Sequence, residues 1–250
     1  MDKKVVKSKK TEKSNKIDFK NICADLGIVA YVGFAVIASQ IIVSYPMLWI
    51  LGKPTFGLPI WTTIYSMLVY VVTAFIVVVF PKFIKDKWKS SRKDLGLTEL
   101  PTFTDIGISI LGFVATILIS GIFLTILQSM HLVDGGQTQD VGYSHLNTGF
   151  DRAIAFLALV VVTPFFEELI FRGWLYDKLK KRMPITAAVA LVSILFGALH
   201  GQWNVGITVG IMSVIMCIER ELTGTIYAGI LTHMIKNGVA FGLLIMSGMM

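Results

Sequence analysis

Six residues combine types and spacings that can do chemistry. They are Glu167, Glu168, Arg172, His200, His233 and Asn237, and all of them fall within apolar stretches. In Thr163-Pro164-Phe165-Phe166-Glu167-Glu168-Leu169-Ile170-Phe171-Arg172, two acids and a base interrupt large apolar side chains. If the stretch spans lipid, each charge at a helix centre costs about 2.5–3.5 kcal/mol when left unpaired, so the three together must face protein or a wet cavity. Glu168 and Arg172 stand at i and i+4 and share a helix face, which favours an ion pair. Glu167 is turned away by about 100° and is left as the carboxylate without a local partner. A carboxylate in a low-dielectric site becomes a better base, and a nearby histidine can share in activating water. Glu167 with His200 would therefore generate a nucleophile. His233 and the Asn237 amide, at i and i+4, could donate hydrogen bonds to the oxygen that turns negative as water adds to a peptide carbonyl. The chemistry expected is amide hydrolysis without a covalent intermediate.

For these groups to act together, the elements carrying them must bring them to one depth. The chain has 250 residues, 54% of them hydrophobic, and a mean hydropathy of +0.71. That exceeds the apolar content of ordinary soluble domains, about 45–50%, so the solvent for most of the chain is lipid. Apolar runs of roughly 20 residues, enough to cross a hydrocarbon core of about 30 Å, predict helices over about 22–45, 59–81, 104–131, 152–180, 185–200, 205–219 and 225–246. The expected fold class is all-α: a polytopic membrane bundle of about seven transmembrane helices with a polar cavity near mid-membrane. From Lys178 as one interface, Glu167 lies roughly 16 Å into the bilayer by helix rise. His200 is level with it across the turn near Met183-Pro184. His233 lies roughly 15 Å from the turn near Thr223, with Asn237 about one turn higher. The polar turn Gly201-Gln202-Trp203-Asn204 then falls at or above mid-depth, where non-helical backbone is tolerated only in protein or beside a water-filled chamber.

Charge distribution gives orientation. The net charge of +7 sits in short segments between apolar runs, which mark cytoplasmic loops, and nucleic acid is not an expected partner. Residues 1–20 hold eight lysines and little apolar content, predicting a disordered basic cytoplasmic tail. The remainder, 21–250, is a single membrane-embedded domain. The run starting near Ile22 is too long for a signal peptide and predicts a retained first helix. Lys and Arg between 82 and 103 and in 178–182 place those segments inside. The segment 132–151, with Asp134, Asp140 and Asp151 and no Lys or Arg, lies outside. Seven helices put the C-terminus outside, although a re-entrant segment near 46–58 would change the count. The expected location is the cell membrane. Cys23 and Cys217 have no metal-like spacing and are read as packing residues. Trp61, Trp174 and Trp203 are read as interface or core residues, and His131 and His145 as unrelated to the cluster.

Glu167-Glu168-x-x-x-Arg172, then Phe196-x-x-x-His200, then His233-x-x-x-Asn237 resembles the motif set of the CAAX protease and bacteriocin-processing family, which includes the type II CAAX prenyl endopeptidases. Asp94-Leu95-Gly96-Leu97 is also similar to a segment common there, so the resemblance covers about 94–240. It implies an all-helical, cofactor-free glutamate intramembrane endopeptidase with a cavity open to the cytosol. Glu167 and His200 would activate water, His233 and Asn237 would stabilise the oxyanion, and Glu168, Arg172 and Phe196 would support them. The Lys- and Ile-rich composition points to a bacterial chain. Bacterial members are linked to peptide maturation, bacteriocin immunity or quorum signalling, so the partners implied are a peptide or membrane-protein substrate and the bilayer.

Two rivals remain at this level. Glu167, His200 and His233 could instead hold zinc with water in an open position, although the chain has no His-Glu-x-x-His helix and Arg172 sits beside the acids. Alternatively, the cluster could bind a peptide or move protons without catalysis, as an immunity or transport protein would. Substrate, scissile bond and oligomeric state are not legible.

Overall fold

The computed structural model describes residues 19–51, 59–84, 88–133, 146 and 148–247. The described residues contain no strand and form seven helical stretches. Helix α1 is Phe19–Leu51. Helix α2 begins as Pro59–Ala74 and runs on through a π-helical turn, Phe75–Val79, into the short piece Pro81–Ile84. Helix α3 is Phe103–Ser129 and α4 is Gly149–Lys180. Helices α5, α6 and α7 are Ile185–Ala198, Trp203–Thr223 and Tyr227–Met246. All seven expected helices are present, and five of them are long and apolar enough to cross a membrane: Cys23–Ile50, Ile60–Phe83, Phe103–Ser129, Gly149–Lys180 and Tyr227–Met246. Helix α5 has 14 residues, roughly 21 Å at the helical rise. The last turn of α6 carries Glu219, Arg220 and Glu221. Those two form a hairpin within the bundle. The basic tail expected over 1–20 lies outside the described residues except for Phe19 and Lys20, as do His145 and most of the segment 132–151.

Helix α3 is apolar outward and polar inward, as lipid requires. Its buried positions are Asp105, Ser109, Gly112, Thr116 and Ser120, spaced three or four apart, while Ile110, Leu111, Leu118 and Ile122 are exposed. Small and hydroxylic residues let membrane helices approach closely and bond across the interface. The first turn is fixed by a capping box: the Thr102 side chain accepts from the Asp105 backbone N–H and the Asp105 carboxylate accepts from the Thr102 N–H. Thr148 and Asp151 repeat the device at the start of α4, satisfying N–H groups that the helix itself leaves unpaired.

Glycine geometry closes the α5–α6 hairpin. Gly201 turns the chain with a φ of 71°, and a Cβ on Gly197 would stand 2.5 Å from the Gly206 carbonyl oxygen. Only hydrogen fits at that crossing. Helix α4 is the central element: Leu169 to Leu175 are all buried, and Trp174, Leu175, Tyr176 and Leu179 have no exposed surface. Of the tryptophans expected at the interface or in the core, Trp174 is core, whereas Trp203 is 81% exposed.

The segment before α3 is stitched to both ends of the bundle's charged side. Tyr31, Trp88 and Trp174 pack with ring centroids 4.7–5.9 Å apart. Gly96 adopts a φ of 70°, and its carbonyl accepts the Ile226 N–H at 3.2 Å. Arg220 donates to the carbonyls of Gly224 and Asp94. The Lys181 ammonium, 2.7 Å from Asp94, and the bonds from Ser91 hold the Asp94 carboxyl well below the usual carboxylate range.

Candidate active site

Two π-helical stretches, Leu157–Val162 and Leu169–Leu175, bracket the ordinary α-helical Thr163–Glu168. Wide turns of this kind recur where helices present functional groups, because they shift the register of the side chains and loosen the backbone ladder. Here they set Glu167 and Glu168, 5% and 0% exposed, toward different neighbours.

Glu167 opens onto a cavity of about 260 Å³ bounded by α1, α2, α4 and α5. His200 and Phe196 line it from α5, and Gln40, Tyr65, Ser66, Tyr70 and Thr73 form its other wall. His200 Nδ1 is 2.8 Å from the Phe196 carbonyl oxygen. A carbonyl can only accept, so Nδ1 carries the hydrogen and a neutral His200 ring keeps its Nε2 lone pair free for a proton. The first two helices carry no sequence motif, yet they supply half of the wall around this acid and this base.

Glu168 faces the other way, into packed protein. Its Oε1 accepts from Arg172 Nη1 at 2.9 Å, and His233 Nδ1 lies 3.3 Å from the same oxygen. The opposite ring nitrogen, His233 Nε2, is 3.6 Å from Glu167 Oε2, too long for a formed hydrogen bond but close enough for one proton to serve both. His233 therefore bridges the two adjacent glutamates. Phe196 is the hub of the apolar contacts: the Arg172 guanidinium sits 4.5 Å from its ring centroid, and the rings of Phe171, His200 and His233 meet it at 4.9, 5.1 and 5.9 Å.

Asn237 stands one turn beyond His233, and its Nδ2 donates to the Leu159 carbonyl at 2.9 Å. That carbonyl belongs to the first π-helical stretch. An amide nitrogen carries two hydrogens, so one anchors the side chain and one remains. Neither His233 nor Asn237 lines the Glu167 cavity. They form a second layer behind it.

Among the described residues no three His, Cys, Asp or Glu side chains are arranged to hold a metal ion. Glu167, His200 and His233 do not fit a shared ion, and the Arg172 guanidinium beside Glu168 opposes another cation nearby.

Several buried polar residues were not singled out in the sequence. Lys236, half-buried, directly precedes Asn237 on α7. Glu219 on α6 is 2% exposed and accepts from the Thr232 hydroxyl at 2.6 Å. Asp105 accepts from Thr225 at 3.0 Å. An ionisable residue in an apolar helix was the available signal for Lys236. Glu219 sits at the predicted end of its helix, where a charge reads as an interface residue.

Residues 149–239 match the Rce1-like family of type II CAAX prenyl endopeptidases. No curated protein and no solved structure matches the chain. The matched segment contains Glu167, Glu168, Arg172, Phe196, His200, His233 and Asn237.

Proposed function

From the premise that this multi-pass membrane protein carries a domain of the CAAX endopeptidase family over residues 149–239, we propose that it hydrolyses a peptide bond of a membrane-associated protein or peptide within the bilayer. The observation that carries the reading is the cavity that Glu167 and His200 share. It is small and lined partly by hydroxyl and amide groups.

In this mechanism a water held between Glu167 and His200 loses a proton to Glu167 as its oxygen bonds to the substrate carbonyl carbon. The carbonyl oxygen takes up the negative charge. His233, whose Nδ1–H is fixed by Glu168, turns the lone pair of Nε2 toward Glu167; once Nε2 shares the proton that Glu167 takes from the water it can donate to that oxygen, and the second Nδ2 hydrogen of Asn237 is the other donor. Preorganised donors of this kind are worth roughly 10²–10³ in rate each. The adduct then collapses: the C–N bond breaks, the proton held by Glu167 passes to the leaving nitrogen, and a carboxylate and an amine depart. Glu168, Arg172 and Phe196 hold the acid and the imidazole in place without touching substrate. No cofactor is needed.

In this reading the enzyme works in the cell membrane with its N-terminus in the cytoplasm, and its biological role is bacterial peptide maturation, bacteriocin immunity or quorum-signal processing. The test is peptide mass spectrometry of membranes from cells carrying the wild type or Glu167→Gln. A cleavage product that vanishes in Glu167→Gln is expected. Identical peptide profiles for the two would sink the reading.

A further inference from the structure

Behind Glu168 lies a second carboxyl group that the hydrolytic scheme does not use. Glu219 reaches from α6 into the α3–α4–α7 junction, where two glycines make room for it. A Cβ on Gly112 would stand 1.8 Å from Glu219 Oε1. On the other side, a Cβ on Gly229 would stand 3.1 Å from Glu168 Oε2 and 3.7 Å from Glu219 Oε2. The two Oε2 atoms therefore converge on the same small space above Gly229. Both are buried and neither has a hydrogen-bond partner.

Charge balance decides what fills that gap. Two carboxylates meet there, and Arg172 is the guanidinium among them, donating from Nη1 to Glu168 Oε1 while its Nε and Nη2 make no bond to either Oε2. Arg220, the neighbour of Glu219 in sequence, is turned away onto the backbone carbonyls of Gly224 and Asp94. The remaining groups facing Glu219 are uncharged: the Ser109 backbone and Gly112 on α3, and Thr232 on α7. Two ionised acids would leave a buried, unneutralised charge and two acceptors pointing at each other, each of which is costly. One proton removes both penalties.

We propose that Glu219 is a positioning residue that carries this proton and donates it as a hydrogen bond to Glu168. Glu168 is then saturated: Oε1 receives Arg172 and the His233 Nδ1–H, and Oε2 receives Glu219. A carboxylate bound on both oxygens cannot rotate, so His233 keeps one tautomer and one direction. The relevance to catalysis rests on the peptidase reading; the shared proton does not.

Both halves are tested on the full chain in lipid nanodiscs without any substrate. Infrared difference spectra of wild type against Glu219→Gln at neutral pH are expected to show a protonated-carboxyl C=O band in the wild type that the variant lacks, and Glu168→Gln, which leaves Arg172 to draw the proton off Glu219, should abolish that band as well. A pair of carboxylate bands in its place overturns the proposal. For the positioning role, the ¹⁵N imidazole resonances of His233, assigned by their loss in His233→Asn, should be kept in Glu219→Gln, whose amide replaces the donor. They should move in Glu219→Ala. Resonances unmoved in Glu219→Ala, or moved equally in both variants, overturn it. Cleavage lost or retained in Glu167→Gln bears on the peptidase reading alone.

Discussion

Replacing Arg172 by Met removes the guanidinium from a pair that is 1% and 0% exposed and leaves its partner Glu168 charged in packed protein. Breaking one side of a buried ion pair costs about 3–5 kcal/mol. The loss of the contact with the Phe196 ring, 4.5 Å from the guanidinium, adds about 0.5–2 kcal/mol. For a chain of this length a kilocalorie corresponds to about 2–4 °C, so Arg172→Met should lower the thermal midpoint by roughly 10–20 °C in a fixed detergent. Glu168→Gln should cost less, because Arg172 can then draw the proton off the nearby Glu219 and regain an anion. The double variant, with no charge left to strand, should be more stable than Arg172→Met alone. The assay is thermal unfolding of the four proteins of the cycle, followed by near-ultraviolet circular dichroism. The coupling should reach about 2 kcal/mol or more, as for residues in one buried network. Losses that simply add, with the double variant at the sum of the singles, would refute the reasoning that these side chains are buried as a unit.

Asn237→Ala should cost only about 1 kcal/mol of stability through the lost bond to the Leu159 carbonyl, while cleavage falls by about 10²–10³ if the second amide hydrogen meets the oxyanion; a kinetic loss no larger than the stability loss would remove that role. Gly96→Ala forces a φ of 70° on a residue with a Cβ and drives that atom to 2.7 Å from Arg220 Cζ. Hydrogen exchange should accelerate at residues 95–97 and at Ile226, and unchanged protection would show that the turn is held by something else. Asp94→Asn should lower the thermal midpoint by the same amount from about pH 5 to 8. The folded Asp94 titrates below its unfolded value of about 3.9, so its contribution is present above that value and is lost only as pH falls through the lower, folded one. A difference that varied across neutral pH would contradict the assignment to the Lys181 and Ser91 bonds.

Spacing made part of this site legible. The i,i+4 rule aligns Glu168 with Arg172 and separates Glu167 from both, and helix rise alone sets Glu167 and His200 level. What spacing could not show is what lies opposite. Gln40, Tyr65, Tyr70 and Thr73 are ordinary uncharged residues in apolar helices, and only the packing of α1 and α2 against α4 turns them into a cavity wall. The π-helical stretches were equally hidden, since Leu-Ala-Leu-Val-Val-Val reads as continuous α-helix. With them went the partner of Asn237, which is a backbone carbonyl and has no residue type to find. His233 was paired in sequence with Asn237 by helical spacing, yet its closest polar contacts run across the bundle to Glu168 and Glu167. Helix number was readable from apolar runs. What the apolar runs did not separate is the 14-residue α5, which is shorter than the five helices long enough to span.

The cavity wall built by α1 and α2 lies wholly outside the segment 149–239 that matches the family. Under the proposed reading, the groups that cut are therefore encoded in one stretch of the chain and much of the surface that reads the substrate in another. Substitutions at Gln40, Tyr65 or Tyr70 can redirect what enters without disturbing the packed acids behind it. Grafting the α1–α2 hairpin of one such protein onto the catalytic segment of another becomes a way to exchange preference while keeping the reaction.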